Sequence, residues 1–431
     1  MTMRLISVLM LAMAAASPAL AENWPNFRGP AFNGSTTETG LPQTWSQTEG
    51  VAWSVPMPGP SFATPAVWGD RLFVTSVDEK TGDLLAMCLA VADGRELWRH
   101  TLGKDRKAPS NNMATPSPCT DGRCAVFLFG TGDLAAFTMD GKPLWKRGLE
   151  QEYGNVGIKY GYSNSPIIFG GKLHVLMLRR TWAYYEPKES AHAMDSYLLA
   201  VDPLTGKNIF RHARPTEATD EAFETYNTPI PATHAGRTEI VLSGADYVTG
   251  HDPATGKELW RWGYNPTHKN YQRLIPTIVA GEGLIFFPSP RGSNLYALKM
   301  GASGEVKDDG ILAWTMEGPT TDATTPLLYR GILYVLDGDR KTVSALEPAT
   351  GNVIWREKLG SGPVWRASPV GADGRIYFMN EAGDVVVLEA GREFKQLARI
   401  PMGGSQARST IVPACGKLFI RTATHLWAIG K

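Results

Sequence analysis

The sequence predicts an all-β protein, an eight-bladed β-propeller of four-stranded antiparallel blades whose ring is closed by an N-terminal strand in the last blade. Three observations carry this expectation. A motif recurs along the chain: AVDPLTGKNIF at 200–210, HDPATGKELW at 251–260 and LEPATGNVIW at 346–355, with looser copies at 89–98 and 137–145. Each copy joins two short apolar strands through a tight Asp-x-x-Thr-Gly type turn and closes on an aromatic, and self-similarity at this spacing marks a repeat architecture. A second mark precedes the motif, a Ser/Thr-Pro or related step that opens a strand. It stands at Thr64-Pro65, Thr115-Pro116, Ser165-Pro166, Thr228-Pro229, Ile275-Pro276, Thr325-Pro326 and Ser368-Pro369, and without proline at Thr410-Ile411, making eight units. The third observation concerns the ends. VAWSV at 51–55 is an orphan strand with Trp53 in the closing-aromatic position, while the eighth unit runs out at Lys431 one strand short. Pairing the two would remove the open sheet edge that a linear array exposes.

Within a unit the elements follow in order. Proline is tolerated as the first residue of the opening strand because no ladder donor is needed there. A minimal turn comes next (Gly69-Asp70, Asp121-Gly122, Gly170-Gly171, Asp373-Gly374, Cys415-Gly416), then a strand rich in Leu, Phe, Tyr and Val, then the Asp-x-x-Thr-Gly hairpin. Runs of four to eight β-branched and aromatic residues bounded by Gly, Pro and Asp favour blades over helical repeats. The closing aromatics Trp98, Trp145, Phe210, Trp260, Trp314 and Trp355 read as packing between blades.

Composition agrees: among 431 residues there are 45 glycines and 30 prolines, yet 43% of the chain is hydrophobic, so a turn-dense globular core is affordable. Lys and Arg total 43 against 42 Asp and Glu, a net charge of +1 that gives no reason to expect nucleic acid as a partner. Residues 1–21 read as a secretory signal, with Arg4, an apolar run at 5–16 and a small-residue frame ending at Ala21. The apolar run is short of the roughly 20 residues of a membrane span. The expected organisation is a signal peptide at 1–21, cleaved after Ala21, an N-terminal extension at 22–44 and the propeller at 45–431, exported to the periplasm or beyond as a soluble monomer. In that oxidising setting Cys119 and Cys124, which flank a Thr-Asp-Gly-Arg turn, are expected to form a disulfide; no cysteine or histidine spacing suggests a metal.

The A-x-D-x-x-T-G-K-x-x-W repeat at 200–210 and 243–260 resembles the tryptophan-docking repeat of the quinoprotein alcohol dehydrogenase-like propellers that bind pyrroloquinoline quinone, a resemblance covering about residues 45–431. BamB-type propellers, eight-bladed and of comparable size, share that fold. The opening NWPNFRGPAFNGS (23–35) and TGLPQTW (39–45) is similar to the leader of exported propellers of this kind. The resemblance implies the fold and leaves three functions: a ligand- or protein-binding scaffold, which the sequence favours, an outer-membrane-assembly scaffold of the BamB type, or a quinone-dependent dehydrogenase. For the last, the family's adjacent cysteines are missing and its calcium ligands and catalytic residue find no match, so no cofactor is expected; quinone with calcium is the alternative.

Two candidate sites emerge. Three residues before each proline position stand Phe62, Met113, Ser163, Tyr226, Arg273, Ala323, Arg366 and Arg408, which should ring the mouth of the central channel. Arg273, Arg366 and Arg408, joined by Trp365, Asp322, Asn164 and Asn227, are expected to bind an anionic small molecule, with Trp365 as a stacking face. The long loop at 179–195, with Arg179, Arg180, Trp182, Tyr184 and Tyr185, is the candidate surface for an exported or outer-membrane protein partner.

Overall fold

The computed structural model describes residues 22–106, 108–156, 158–179, 195–307 and 309–431. They form eight antiparallel sheets, one per blade. The first blade shows the plan: Ala66–Trp68, Arg71–Val77, Asp83–Ala90 and Glu96–Lys104 pair in sequence order. The other opening strands are Cys119–Thr120, Ile167–Phe169, Ile230–His234, Val279–Gly281, Leu327–Tyr329, Val370–Ala372 and Val412–Ala414. Opening strands of successive blades touch, so they line the axis, while the fourth strands are half-exposed on the circumference. The middle strands are buried almost throughout, which explains their unbroken apolar runs.

Closure is as expected. Val51–Pro56 pairs antiparallel with His425–Ile429, Trp53 facing Ala428 and Val55 facing Leu426, and completes the eighth blade. Each closing tryptophan then docks on the next blade. The indole N–H groups of Trp53, Trp98, Trp145, Trp314 and Trp355 donate to Val91, Met139, Pro203, Pro348 and Gly391 carbonyls at 2.8–3.1 Å. The turn glycine is what lets the ring approach: Gly206 has φ +72, and a Cβ there would lie 2.7 Å from Trp145. One seam departs from the pattern. Trp260 turns to Glu239 of its own blade (2.8 Å), because the fifth blade lacks the Asp-x-x-Thr-Gly turn. Its longer hairpin instead sends Gly304–Val306 back to pair in parallel with Glu258–Gly263 of the fourth blade.

The extension at 22–44 crosses the foot of the ring, the face of the first-to-second-strand turns. Trp24 exchanges backbone hydrogen bonds with Val67, Thr120 N–H donates to the Pro25 carbonyl, Phe32 meets Phe169 edge-on, and Gly34 and Thr36 bond to Gly371. Glu38 then caps the N–H groups of Cys415 and Gly416. Trp24 and Arg28 are completely buried.

The disulfide expectation is not met: Cys119 and Cys124 are free, buried thiols. Cys119 faces Val126 across the hairpin, so Cys124 lies diagonally from it, and diagonal neighbours about 7–8 Å apart exceed the reach of a disulfide. The Cys124 thiol instead approaches the Pro203 carbonyl at 3.6 Å, and burial pushes it up to about 12.

Two buried imidazoles, His174 and His251, are pushed by burial down to about 4. The unfolded chain protonates them near 6.5, so between that pH and about 4 it binds more protons than the fold does, and stability falls as the pH is lowered through this window. His174→Phe, which keeps a ring of similar size beside Phe210, should flatten the pH dependence of the unfolding free energy from urea titrations there by up to about 1.4 kcal/mol per pH unit. An unchanged slope would mean His174 is not neutral in the fold.

Candidate functional site

The axis is organised by a ring of hydroxyls at the start of the opening strands. The N–H of Thr64 donates to Ser117 Oγ of the next blade, Ser117 to Ser165, Thr228 to Thr277, Thr277 to Thr325, Thr325 to Ser368, and Thr410 back to Thr64, all at 2.9–3.2 Å. This ring fixes the true register of the repeat. In the second blade the ring residue is Ser117, before Pro118, and in the fifth it is Thr277, so the marks at Pro116 and Pro276 are displaced by two. The layer two residues above is therefore Phe62, Thr115, Ser163, Tyr226, Ile275, Ala323, Arg366 and Arg408. All eight line one funnel of about 330 Å³ on the face of the interblade links. Met113, expected in that layer, is buried away from it, whereas Arg273, one step higher, still reaches the rim.

The three expected arginines thus meet at one cavity, but they do not make it positive. Arg273 pairs with Asp322 at 2.9 Å, Arg366 takes Asp339 with both nitrogens at 2.7 and 3.0 Å, and Arg408 Nε donates to Glu381 at 2.6 Å. Arg408 also lies 4.7 Å over Phe62 and donates to the Ser110 carbonyl. Asp339 and Glu381 went unrecognised in the sequence, although each stands 27 residues before its arginine, on the hairpin between the second and third strands of the preceding blade. Trp365, Asn164 and Asn227 do not face the funnel. They alternate with the lining residues along an extended backbone and turn into the blades: Trp365 is 1% exposed in the core, and Asn227 donates to Ser243. No stacking face exists at Trp365.

One side of the rim carries a cluster that sequence reasoning missed. Glu221, 3% exposed, holds Lys159 at 2.7 Å and Arg291; burial opposes its charge, but Lys159, Arg291 and Arg273 outweigh that and keep the carboxyl below its ordinary value. Beside it Tyr226 donates to Glu224 at 2.9 Å, and burial raises the phenol well above its usual range. Lys159, Glu221, Glu224 and Tyr226 sit in the long links at 147–162 and 212–226, the only signal in the sequence that pointed to the first three, whereas Arg291 stands in the turn Pro290–Gly292.

A family model described as outer membrane protein assembly factor BamB matches residues 35–179 and 244–415. The chain belongs to this family. No curated protein matches it. Among solved structures, BamB from Moraxella catarrhalis is 15% identical with a TM-score of 0.59, covering 87% of this chain and 98% of that one. A quinohemoprotein alcohol dehydrogenase from Comamonas testosteroni is 13% identical with a TM-score of 0.63, covering 95% and 81%. A europium-containing methanol dehydrogenase is 11% identical with a TM-score of 0.68, covering 95% and 98%. At such identity the structural likeness concerns the fold.

In this BamB-family propeller the candidate partner loop falls largely outside the described residues: Arg180, Trp182, Tyr184 and Tyr185 are not among them. Arg179 is, and it is no surface residue. It is 1% exposed, donates to the carbonyls of Tyr153, Gly154, Asn155 and Asp195, and stacks on Tyr197 at 5.6 Å, so it clamps the link after the second blade instead of meeting a partner.

Proposed function

We propose that this protein is an exported, non-enzymatic binding scaffold of the BamB kind, with the funnel face as its binding face. The observation that carries the reading is the pairing at the rim. Arg273, Arg366 and Arg408 each hold their own carboxylate, so the acids that could have held a cation are spent on guanidinium groups. The quinone alternative asks for more. A pyrroloquinoline quinone with its calcium needs several uncommitted oxygens about one point and a flat face to stack on. Asn164 and Asn227 are turned away and Trp365 is in the core, and among the described residues no three His, Cys, Asp or Glu stand close enough to hold a metal. This donor set does not fit the cofactor.

A photo-crosslinking residue at Tyr271, an aromatic 64% exposed beside the rim, should capture a discrete envelope protein in living cells, and one at Ile209, exposed on an outer strand, should not. Alcohol-dependent dye reduction after loading with the quinone and calcium would overturn the reading, as would equal capture from both positions.

A further inference from the structure

The extension that crosses the foot of the ring starts and ends on one buried acid. Glu38, 7% exposed, accepts the N–H groups of Cys415 and Gly416, both at 3.0 Å, and its Oε1 also accepts the backbone nitrogen of Glu22. These backbone donors satisfy the lone pairs of the carboxylate but leave its charge unanswered, because none is a Lys, Arg or His side chain among the described residues. The next cation along that strand, Lys417, donates instead to the main-chain oxygen of Lys431. A buried carboxylate with no counter-charge is costly, so its retention points to a cation that the uncut chain does not supply.

The nitrogen that faces Glu38 has a particular place in the sequence. Glu22 directly follows the small-residue frame ending at Ala21, where the leader is expected to be cut. Before the cut this nitrogen is a neutral amide. Hydrolysis of the bond before Glu22 by a leader peptidase consumes one water: its oxygen goes to the Ala21 carbonyl carbon, leaving a carboxylate on the departing leader, and its two protons go to the nitrogen. The product is an α-ammonium, charged below its ordinary value of about 7.7–8.0. The Glu22 side chain is pinned beside the loop that carries Glu38, its Oε2 accepting the hydroxyls of Thr36 and Thr37 and the Thr37 N–H at 2.6 Å.

We propose that the bond before Glu22 is the processing site and that the α-ammonium it frees is the counter-ion of Glu38, so that the cut completes the fold. The pair joins the start of the extension, its end and the Cys415-Gly416 turn at the foot of the eighth blade, the blade that closes the ring. A precursor lacks this charged tie, and the processed chain gains it. The inference goes beyond the binding reading above and shares with it only the export of the chain.

Intact mass of the protein recovered from the envelope of cells making the full chain should correspond to residues 22–431. Urea unfolding at about pH 6.5, where an α-amino group is charged, then compares a chain released from a fusion with Glu22 as its first residue and one that keeps two alanines ahead of it. The folding equilibrium constant of the first should be at least about fivefold larger, the upper end of what an exposed ion pair supplies. Glu38→Gln keeps the shape and an oxygen for the N–H groups while removing the charge, and it should abolish the difference between the two chains. A mature chain that begins elsewhere, equal constants for the two chains, or a difference that survives Glu38→Gln would each overturn the proposal. Crosslinking from Tyr271 is read independently of all three, so the processing site and the scaffold reading fail separately.

Discussion

Deleting residues 22–56 is expected to leave the chain insoluble, whereas deleting 22–40 should give a soluble ring whose stability falls by about 5 kcal/mol or more. The longer deletion removes Val51–Pro56, the outer strand of the eighth blade, and bares the edge of His425–Ile429 along its whole length. It also removes Trp53, whose indole bond to Val91 and packing on Gly94 tie the last blade to the first. An unpaired apolar edge in a ring with no fourth strand to cover it is a template for aggregation. The shorter deletion leaves eight complete blades, so no edge opens. It nevertheless takes away Trp24 and Arg28, both with no exposed surface, and the carboxylate cap of Glu38. The loss of one buried tryptophan alone costs about 3–5 kcal/mol. Size-exclusion chromatography and urea unfolding distinguish the two: a monomeric, cooperatively unfolding 22–56 deletion would refute ring closure, and an unchanged midpoint after the 22–40 deletion would refute a structural role for the extension.

The repeat was legible because its physics is local. Asp202 accepts the N–H groups of Leu204 and Thr205 through its side chain, and its carbonyl takes that of Gly206, so the turn is written in five consecutive residues. Asp252 repeats the arrangement. The course of the extension was not legible for the opposite reason. Nothing near Arg28 in sequence says that its partners are the carbonyls of Pro326 and Pro369, some 300 residues away. Proline also misled. The second blade has two, Pro116 and Pro118, and only the hydroxyl of Ser117 shows which one opens the strand.

The site was half legible. Counting back from the strand openings brought Arg273, Arg366 and Arg408 to one cavity, since position in a repeat determines height along the axis. Charge balance was not legible in that way, because an arginine on one blade is answered by an acid on the hairpin of another. The shared offset of 27 residues in Arg366–Asp339 and Arg408–Glu381 was available, but it acquires meaning only when links and hairpins are known to share a face. The side-chain direction of Trp365 follows from alternation once the register of Arg366 is fixed.

Arg28→Ala is expected to cost about 3–5 kcal/mol of stability, and Arg28→Lys most of that. The guanidinium donates to Asn33, Pro326 and Pro369 carbonyls at 3.0, 2.8 and 3.3 Å, from three separate segments of the chain. Each carbonyl left without a donor in a buried site costs about 1–3 kcal/mol. The full sum is not expected, because the charge itself is held at a penalty: burial keeps the Arg28 pKa below its usual value, and alanine relieves that. Lysine keeps the penalty and loses the fork, since one ammonium cannot span carbonyls on separate strands. Gly34 probes the same contact from the other side. It has φ +86, and a Cβ there would come within 2.0 Å of Arg28 Nη2. Gly34→Ala should therefore destabilise both by backbone strain and by displacing the guanidinium, and only the first part survives when Arg28 is already alanine. In a urea-unfolding double-mutant cycle the pair should cost less than the sum of the singles by about 1 kcal/mol or more. Strict additivity would mean that the arginine does not stand where Gly34 makes room for it.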